Sequence, residues 1–432
     1  MNRAVAHTLA LLAAIAVLVG ACGQDKGDSG RKDQRIEIKA WVHSGRAAER
    51  DTIKDQVARF NRSQERVHVT LTVIPEGSYN AQVQAAALAG ELPDVLEFDG
   101  PFLYNYIWEG HLVPIGDYLP RDLKADLLPS IVKQGTYRGR LYSVGVYDSG
   151  LGLYARRSLL EAVGARIPAG PGDAWSVPEF EGVLQNLADH DPDGRVLDLK
   201  LNYRHEWYTY AFSPPVESAG GDLIDRSDFQ SAAGVLNGPA AVGAMTRIQA
   251  WIDKGLVDPD VDDNAFVGGR VALSWAGHWE YRRYAKAYGK DLVVLPLPDF
   301  GHGTRTGQGS WNWGITRYAK RPRAAAAFIE FLLRPDEVLK MCDANAAVPA
   351  TREAVERSKL YGPGGPLRLF ADQLLNGYGV ARPRTPAYPV ITSAFQQVFE
   401  DIRNGAGVKP SLDKAVAAID RDIRDNDGYR AP

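Results

Sequence analysis

Between Ile36 and Phe98 the apolar period keeps switching between two and 3.6 residues, and this constrains the fold more than anything else in the chain. Ile36-Glu37-Ile38-Lys39-Ala40-Trp41 alternates as a strand does. Ile53, Val57 and Phe60 follow at helical spacing, then Val67 to Val73 alternates again. An Ala/Gln-rich helical stretch, Ala81 to Ala89, leads into Pro93-Asp94-Val95-Leu96-Glu97-Phe98. A β-α-β-α-β order calls for an α/β domain with a largely parallel sheet, because parallel strands need crossover connections. Ligands of such sheets sit beyond the carboxyl ends of the strands, here the segments starting at Val42 and Phe98.

Further along, Leu141 to Tyr147 reads as a strand followed by Gly150 and Gly152. Val271 to Trp275 and Leu292 to Pro296 are short apolar strands. Helices are expected from Pro239 to Gly255, from Ala324 to Leu333 (ended by Pro335), and around 395–402 and 412–423. With 432 residues the chain is long enough for two domains.

The amino terminus reads as a targeting segment. Asn2-Arg3 precedes an apolar run from Leu9 to Val19, shorter than the roughly 20 residues a membrane-spanning helix needs. The run ends in Val19-Gly20-Ala21-Cys22, which resembles a bacterial lipobox, so Cys22 is the expected lipidation site and residues 1–21 the signal peptide. Residues 22–34 carry no apolar side chain after the cysteine and are expected to be a flexible tether, holding the folded part roughly 20 Å from the bilayer. The expected location is outside the cytoplasmic membrane, periplasmic or on the cell surface. Cys342, the other cysteine, is then a small buried hydrophobe, and no disulfide framework exists.

Charge excludes some partners. Fifty Lys and Arg against 53 Asp and Glu give a net charge of −3, against a polybasic nucleic-acid binder. No Walker A, H-E-x-x-H, C-x-x-C or G-x-S-x-G sequence occurs. Asp189 to Gly194 resembles the start of a calcium loop, but its twelfth position is Lys200 where a bidentate Glu is needed, so a polar turn is expected. No cofactor or metal is expected. Nine Trp, nineteen Tyr and thirteen Phe leave aromatic faces to fill cores or to stack on a ligand.

An ordered series of short motifs then resembles the sugar-type, family-1 extracellular solute-binding proteins of ABC importers. The series runs through Leu92-Pro93-Asp94-Val95, Gly110-His111-Leu112-Val113-Pro114-Ile115, Gly139-x-Leu141-Tyr142-Ser143-Val144-Gly145 and Leu153-Tyr154-Ala155-Arg156. It continues through Gly269-Arg270-Val271-Ala272-Leu273, Gly277-His278-Trp279, Leu295-Pro296-Leu297-Pro298, Gly314-Ile315-Thr316 and Tyr388-Pro389. The resemblance implies a two-lobed periplasmic-binding-protein type II fold with a hinge and an interlobe cleft. Crossings are expected near Val144–Tyr147, Leu292–Pro298 and Arg334–Pro335. The first lobe would hold 35–145 and 297–334, the second 146–296 and 335–432.

It also implies a site. A sugar presents apolar C–H faces and a rim of hydroxyls, so its site combines flat aromatic rings with placed polar groups. The matching positions are His43, Ser44, Gly45 and Arg46; Phe98, Asp99 and Gly100; Tyr147 and Asp148; Tyr203, His205, Glu206 and Trp207; Trp275, Gly277, His278 and Trp279; and Ser310 and Trp311. Trp41 is expected to pack, Trp275 to face core or cleft, and Trp311 rather than Trp313 to meet the ligand. Arg382 and Arg384 suit either the cleft mouth or solvated surface. Gln396 stands where maltose-binding members of the family have a further stacking Trp, and 98–102 lacks their acid-plus-Arg pair; a mono-, di- or short oligosaccharide is therefore expected.

The expected function is a lipid-anchored, monomeric receptor that hands a carbohydrate to ABC permease subunits, without catalysis. Two other classes compete: a surface glycoside hydrolase using paired carboxylates, and a metal receptor using His43, His205 and His278.

Overall fold

The computed structural model describes residues 35–430. The signal peptide, Cys22 and the tether lie outside the described residues. The alternating segments form the strands and helices their periods dictate: β1 (Ile36–His43), α1 (Ala47–Ser63), β2 (Val67–Ile74), α2 (Glu76–Ala89) and β3 (Val95–Asp99). β1 pairs in parallel with both β2 and β3, and Trp311–Thr316 adds antiparallel to β3. Leu112–Val113 and Ser143–Val144 complete this first sheet against Trp311–Thr316. Ile53, Val57 and Phe60 of α1 bury themselves against it.

A second sheet orders Leu197–Asp198, Leu273–Gly277, Leu151–Arg156 and Leu292–Leu295. Its core includes Trp175, Phe180, Trp251 and the apolar faces of helices Glu206–Ser218, Tyr388–Arg403 and Val408–Asp425. The architecture is therefore two-lobed α/β, with a sheet in each lobe.

Two small strand pairs lie where the chain passes between the sheets. Tyr147–Asp148 pairs antiparallel with Val348–Pro349, and Thr306–Gln308 pairs in parallel with Gly379–Ala381. These pairs move two expected boundaries. Leu297 is buried in the second lobe's core, and the chain rejoins the first sheet only at Trp311. Pro335 ends one helix but also starts the next, Pro335–Asn345, as proline at a first helical position can. That helix stays with the first lobe: Gln56 Nε2 donates to the Glu337 carbonyl at 3.0 Å, and Arg59 Nε to the Glu337 carboxylate at 3.1 Å. Val338, Met341 and Cys342 are buried in the same core as α1, so the crossing expected at 334–335 falls later in the chain.

Candidate functional site

The carboxyl ends of β1 and β3, the exposed half of α2 and the start of Trp311–Thr316 face the second lobe across a cleft of about 690 Å³. The opposite wall comes from 203–210, the turn His278-Trp279 and the helix Tyr388–Arg403. Of the residues singled out in the sequence, His43, Gly45, Arg46, Asp99, Tyr147 and Tyr203 line it. So do His205, Glu206, Trp207, His278, Trp279, Ser310 and Trp311.

On the first-lobe side, Trp311 lies flat on His43, ring centroids 3.7 Å apart and planes 4° from parallel, with Tyr79 edge-on at 5.3 Å. His43 Nδ1 and Glu97 Oε2 are 2.7 Å apart, and the His43 backbone N–H also donates to that oxygen at 3.1 Å. Burial favours the neutral ring, but the Glu97 charge and hydrogen bond overcome it and push His43 up to about 9. The indole thus lies on a ring whose charged form Glu97 favours. Trp313, two residues on, is packed in the core against Phe328.

On the second-lobe side, the first turn of the helix Glu206–Ser218 presents Glu206, Trp207 and Tyr210. Trp207 Nε1 is tied to the Leu199 carbonyl at 3.1 Å, and the rings of Trp207 and Trp279 meet edge to face at 6.0 Å. Arg204 and His205 enter the helix at φ +52° and +49°, a strained approach that L side chains rarely adopt. His278 is held neutral: burial pushes it down to about 4, with Nε2 3.0 Å from Ser149 Oγ and Nδ1 2.9 Å from the Asn345 carbonyl.

Arg382, buried, joins the two walls of the cleft. Its Nη1 donates to Asp99 Oδ2 at 2.7 Å and to Glu206 Oε1 at 2.6 Å, its Nη2 to Asp99 Oδ1 at 2.8 Å. The guanidinium lies 5.0 Å from the Tyr210 ring centre and the residue is 5% exposed. Burial raises Glu206 above the usual carboxylate range, with Arg382 pulling the other way. Glu206 also accepts from Tyr388 and, at 2.7 Å, from Thr392. Neither setting expected for Arg382, the cleft mouth or solvated surface, is found: it is buried between the two walls, and the acid-plus-Arg pair missing from 98–102 is assembled from residues far apart in the chain.

Six sequence candidates do not line the cleft. Ser44 Oγ accepts the first N–H of α2 at 3.2 Å. Phe98 is core, edge-on to Tyr106. Gly100 is pressed by neighbours, since a Cβ there would lie 2.3 Å from Gln134 Nε2. Asp148 is buried, and its carboxylate takes the backbone N–H groups of Ser149 at 2.8 Å and Gly309 at 3.2 Å. Trp275 is fully buried in the second lobe's core, which settles core against cleft. Gly277 makes room for Trp279, whose ring would stand 2.1 Å from a Cβ at that position.

Sequence reasoning reached Gln396 but missed the two helical stripes around it and opposite it: Gly77, Asn80, Ala81 and Gln84 of α2, and Pro389, Thr392, Ser393 and Gln396, each recur at i, i+3, i+4, i+7 and line opposite walls. It also missed Glu49, whose Oε1 accepts from Tyr147 at 2.7 Å and Asn345 at 3.1 Å. His43, His205 and His278 have separate settings, and among the described residues no group of three metal-ligating side chains converges.

The profile of the bacterial extracellular solute-binding protein family matches residues 55–361. The uncharacterized lipoprotein in the oleD 5′ region of Streptomyces antibioticus is 26% identical over 82% of this chain and 78% of its own length. The maltodextrin-binding protein MdxE of Bacillus subtilis is 22% identical over 96% of this chain and 97% of its own. The solved structure of a cyclic alpha-maltosyl-1,6-maltose binding protein from Arthrobacter globiformis superimposes with a TM-score of 0.73 at 23% identity, covering 90% of this chain and 100% of that one.

Proposed function

The chain belongs to the bacterial extracellular solute-binding protein family, and from that premise we propose that it captures a mono-, di- or short oligosaccharide and passes it to the permease of an ABC importer. The observation that carries this reading is the make-up of the cleft. Trp207, Tyr210 and Trp279 stand on one wall with Ser393 and Gln396, and Trp311 on the other with Asn80 and Gln84. Flat rings suit the C–H faces of a sugar, and amides and hydroxyls suit its hydroxyl edge. About 690 Å³ falls within the roughly 300–1,000 Å³ typical of small-molecule sites. The names of MdxE, a maltodextrin-binding protein, and of the Arthrobacter globiformis cyclic alpha-maltosyl-1,6-maltose binding protein support a carbohydrate ligand.

Closure of the lobes around the ligand would make the state recognised by the permease, since a ligand touching both walls biases a two-state hinge. Cys22 would carry the lipid that keeps the receptor, a monomer, at the membrane. Hydrolysis is disfavoured by the geometry. Asp99 and Glu206 both accept from Arg382 Nη1, whereas a glycosidase needs one protonated acid and one free base or nucleophile.

The test is thermal denaturation against maltose, maltotriose, mannobiose, mannotriose and common monosaccharides. A bound sugar at about 100 times its Kd adds about 2.7 kcal/mol. No shift with any sugar, together with a shift from an amino acid, a peptide or a metal ion, overturns the reading; appearance of cleaved glycan overturns its non-catalytic part.

A further inference from the structure

Arg46, on the loop between β1 and α1, also lines the cleft and is far more exposed than Arg382. It follows Gly45, whose φ of +49° and contact with Glu49 (a Cβ would lie 2.3 Å from Oε2) demand glycine. The Arg46 side chain leaves its own lobe. Nη1 donates to Asp263 Oδ2 at 2.9 Å, Nη2 to Tyr203 Oη at 2.6 Å, and Nη2 also pairs with Glu280.

The receiving site is built from the second lobe alone. Arg283 holds Glu280 Oε2 through Nε at 3.0 Å and Nη2 at 2.8 Å, and Tyr203 donates to Glu280 Oε1 at 2.5 Å. Lys200, which has no accessible surface, reaches Asp198 at 3.0 Å and Asp263 at 3.2 Å. Three carboxylates (Asp198, Asp263, Glu280) thus face two second-lobe cations (Lys200, Arg283), leaving a deficit of one positive charge that Arg46 fills. Glu280 is 1% exposed, so the unfilled charge would be poorly hydrated. The planar guanidinium reaches both acids at once, which an ammonium does less well. Tyr203 Oη, gripped by Arg46, also accepts from Trp279 Nε1 at 3.3 Å.

We propose that Arg46 is the latch of the cleft: a positioning residue that docks into a preformed acidic socket on the second lobe, holds the lobes together and fixes Trp279 through Tyr203. It rests on the cleft being the ligand site, but its first test needs no ligand. In this role Arg46 acts on binding through the closed state.

Hydrogen–deuterium exchange on the ligand-free full chain compares wild type, Arg46→Ala, Arg46→Lys, Asp263→Asn and a control, Arg59→Ala, which breaks an ion pair within one lobe. Arg46→Ala and Asp263→Asn are expected to speed exchange in 203–210 and also in α2, which forms the facing wall and touches neither residue. Arg46→Lys is expected to fall between, and Arg59→Ala to match wild type. Faster exchange confined to 203–210 and 278–280, no change, or the same change in Arg59→Ala overturns the latch. Stopped-flow tryptophan fluorescence with maltotriose supplies the second arm. The off-rate of Arg46→Ala is expected to rise about ten-fold or more with the on-rate within about three-fold, as losing charged hydrogen bonds made only on closure requires. An unchanged off-rate overturns it. If maltotriose fails to bind wild type, the sugar reading is what fails, and the exchange experiment still decides the latch.

Discussion

Replacing Arg382 by Met keeps a stem of similar bulk over Tyr210 and removes the charge that Asp99 and Glu206 share. The structure allows the consequence to be sized. The fork contributes three charged hydrogen bonds, at 2.6, 2.7 and 2.8 Å, and 95% of the residue's surface is out of water because 5% is exposed. Removing one member of a buried ion pair costs about 3–5 kcal/mol, chiefly through the charges left behind. Glu206 keeps Tyr388 and Thr392, which places the expected loss toward the lower end, about 3 kcal/mol near neutral pH. The pH dependence has a definite sign. Burial already raises Glu206 in the folded protein, and without the opposing guanidinium it rises further. A carboxylate whose folded pKa lies above its unfolded one penalises folding above that range, and the penalty fades as pH falls toward the unfolded value of about 4.3. Urea denaturation at about pH 7 and about pH 5 should therefore show the gap between Arg382→Met and wild type narrowing in acid. Adding Asp99→Asn and Glu206→Gln to Arg382→Met should recover most of the loss at neutral pH. A neutral-pH loss under about 1 kcal/mol, or one independent of pH, would refute the assignment of Arg382 as the counter-ion of both acids.

Trp279→Ala should weaken binding of the cognate sugar by about ten-fold or more in titration calorimetry, the loss expected of a large aromatic anchor; unchanged affinity would remove the ring from the site. Trp275→Phe should leave affinity within about two-fold while shifting the unfolding midpoint, because this indole is fully buried in the core and its Nε1 has no partner. His43, raised to about 9, lends stability that is complete below its unfolded value of about 6.5 and lost as pH climbs through 9. Unfolding free energies from urea denaturation should fall more steeply between those pH values in wild type than in His43→Gln, by at most on the order of 3 kcal/mol in total; Glu217, pushed up to about 8 by burial, adds a decline common to both.

The fold was largely legible because its signals are local. The β1–β3 segments carry clean period-two patterns, and helical spacing marks α1 before any partner is known. The lobe boundaries were less legible because Pro335 has two readings, a stop for one helix and a first residue for the next, and only the apolar face Val338-Met341-Cys342 finding α1 decides between them. Within the site, the ends of β1 and β3 and the turn Gly277-His278-Trp279 were found from motifs. The same motifs include Ser44, Gly100 and Gly277, whose work is to cap, to admit packing and to make room for a ring. The polar stripes on α2 and on 389–396 do carry a sequence signal, a helical period of hydrophilic residues, but solvent-facing helices show the same period.

Arg382 had no such signal, and its placement alters the argument about the ligand. Two departures from the maltose-binding pattern favoured a short sugar: no arginine beside the acid in 98–102, and Gln396 in place of an aromatic residue. The first is only a departure in sequence, because Arg382 delivers a guanidinium to Asp99 from 283 positions away. It acts there as the partner of two acids, so Asp99 and Glu206 are largely occupied, whereas the amides and hydroxyls of α2 and 389–396 and the unpartnered hydroxyl of Ser310 also line the cleft. The second departure is real in space, since Gln396 lines the cleft. An amide there offers a donor and an acceptor where an indole would offer a stacking face. On the proposed reading, stacking would centre on Trp279 and Trp311, and the amides and hydroxyls of the walls would meet the hydroxyls of the sugar. That division suits a sugar held by its rings at the centre and by its hydroxyls at the ends, which is the physical case for a short ligand over a long glucan stacked along its whole length.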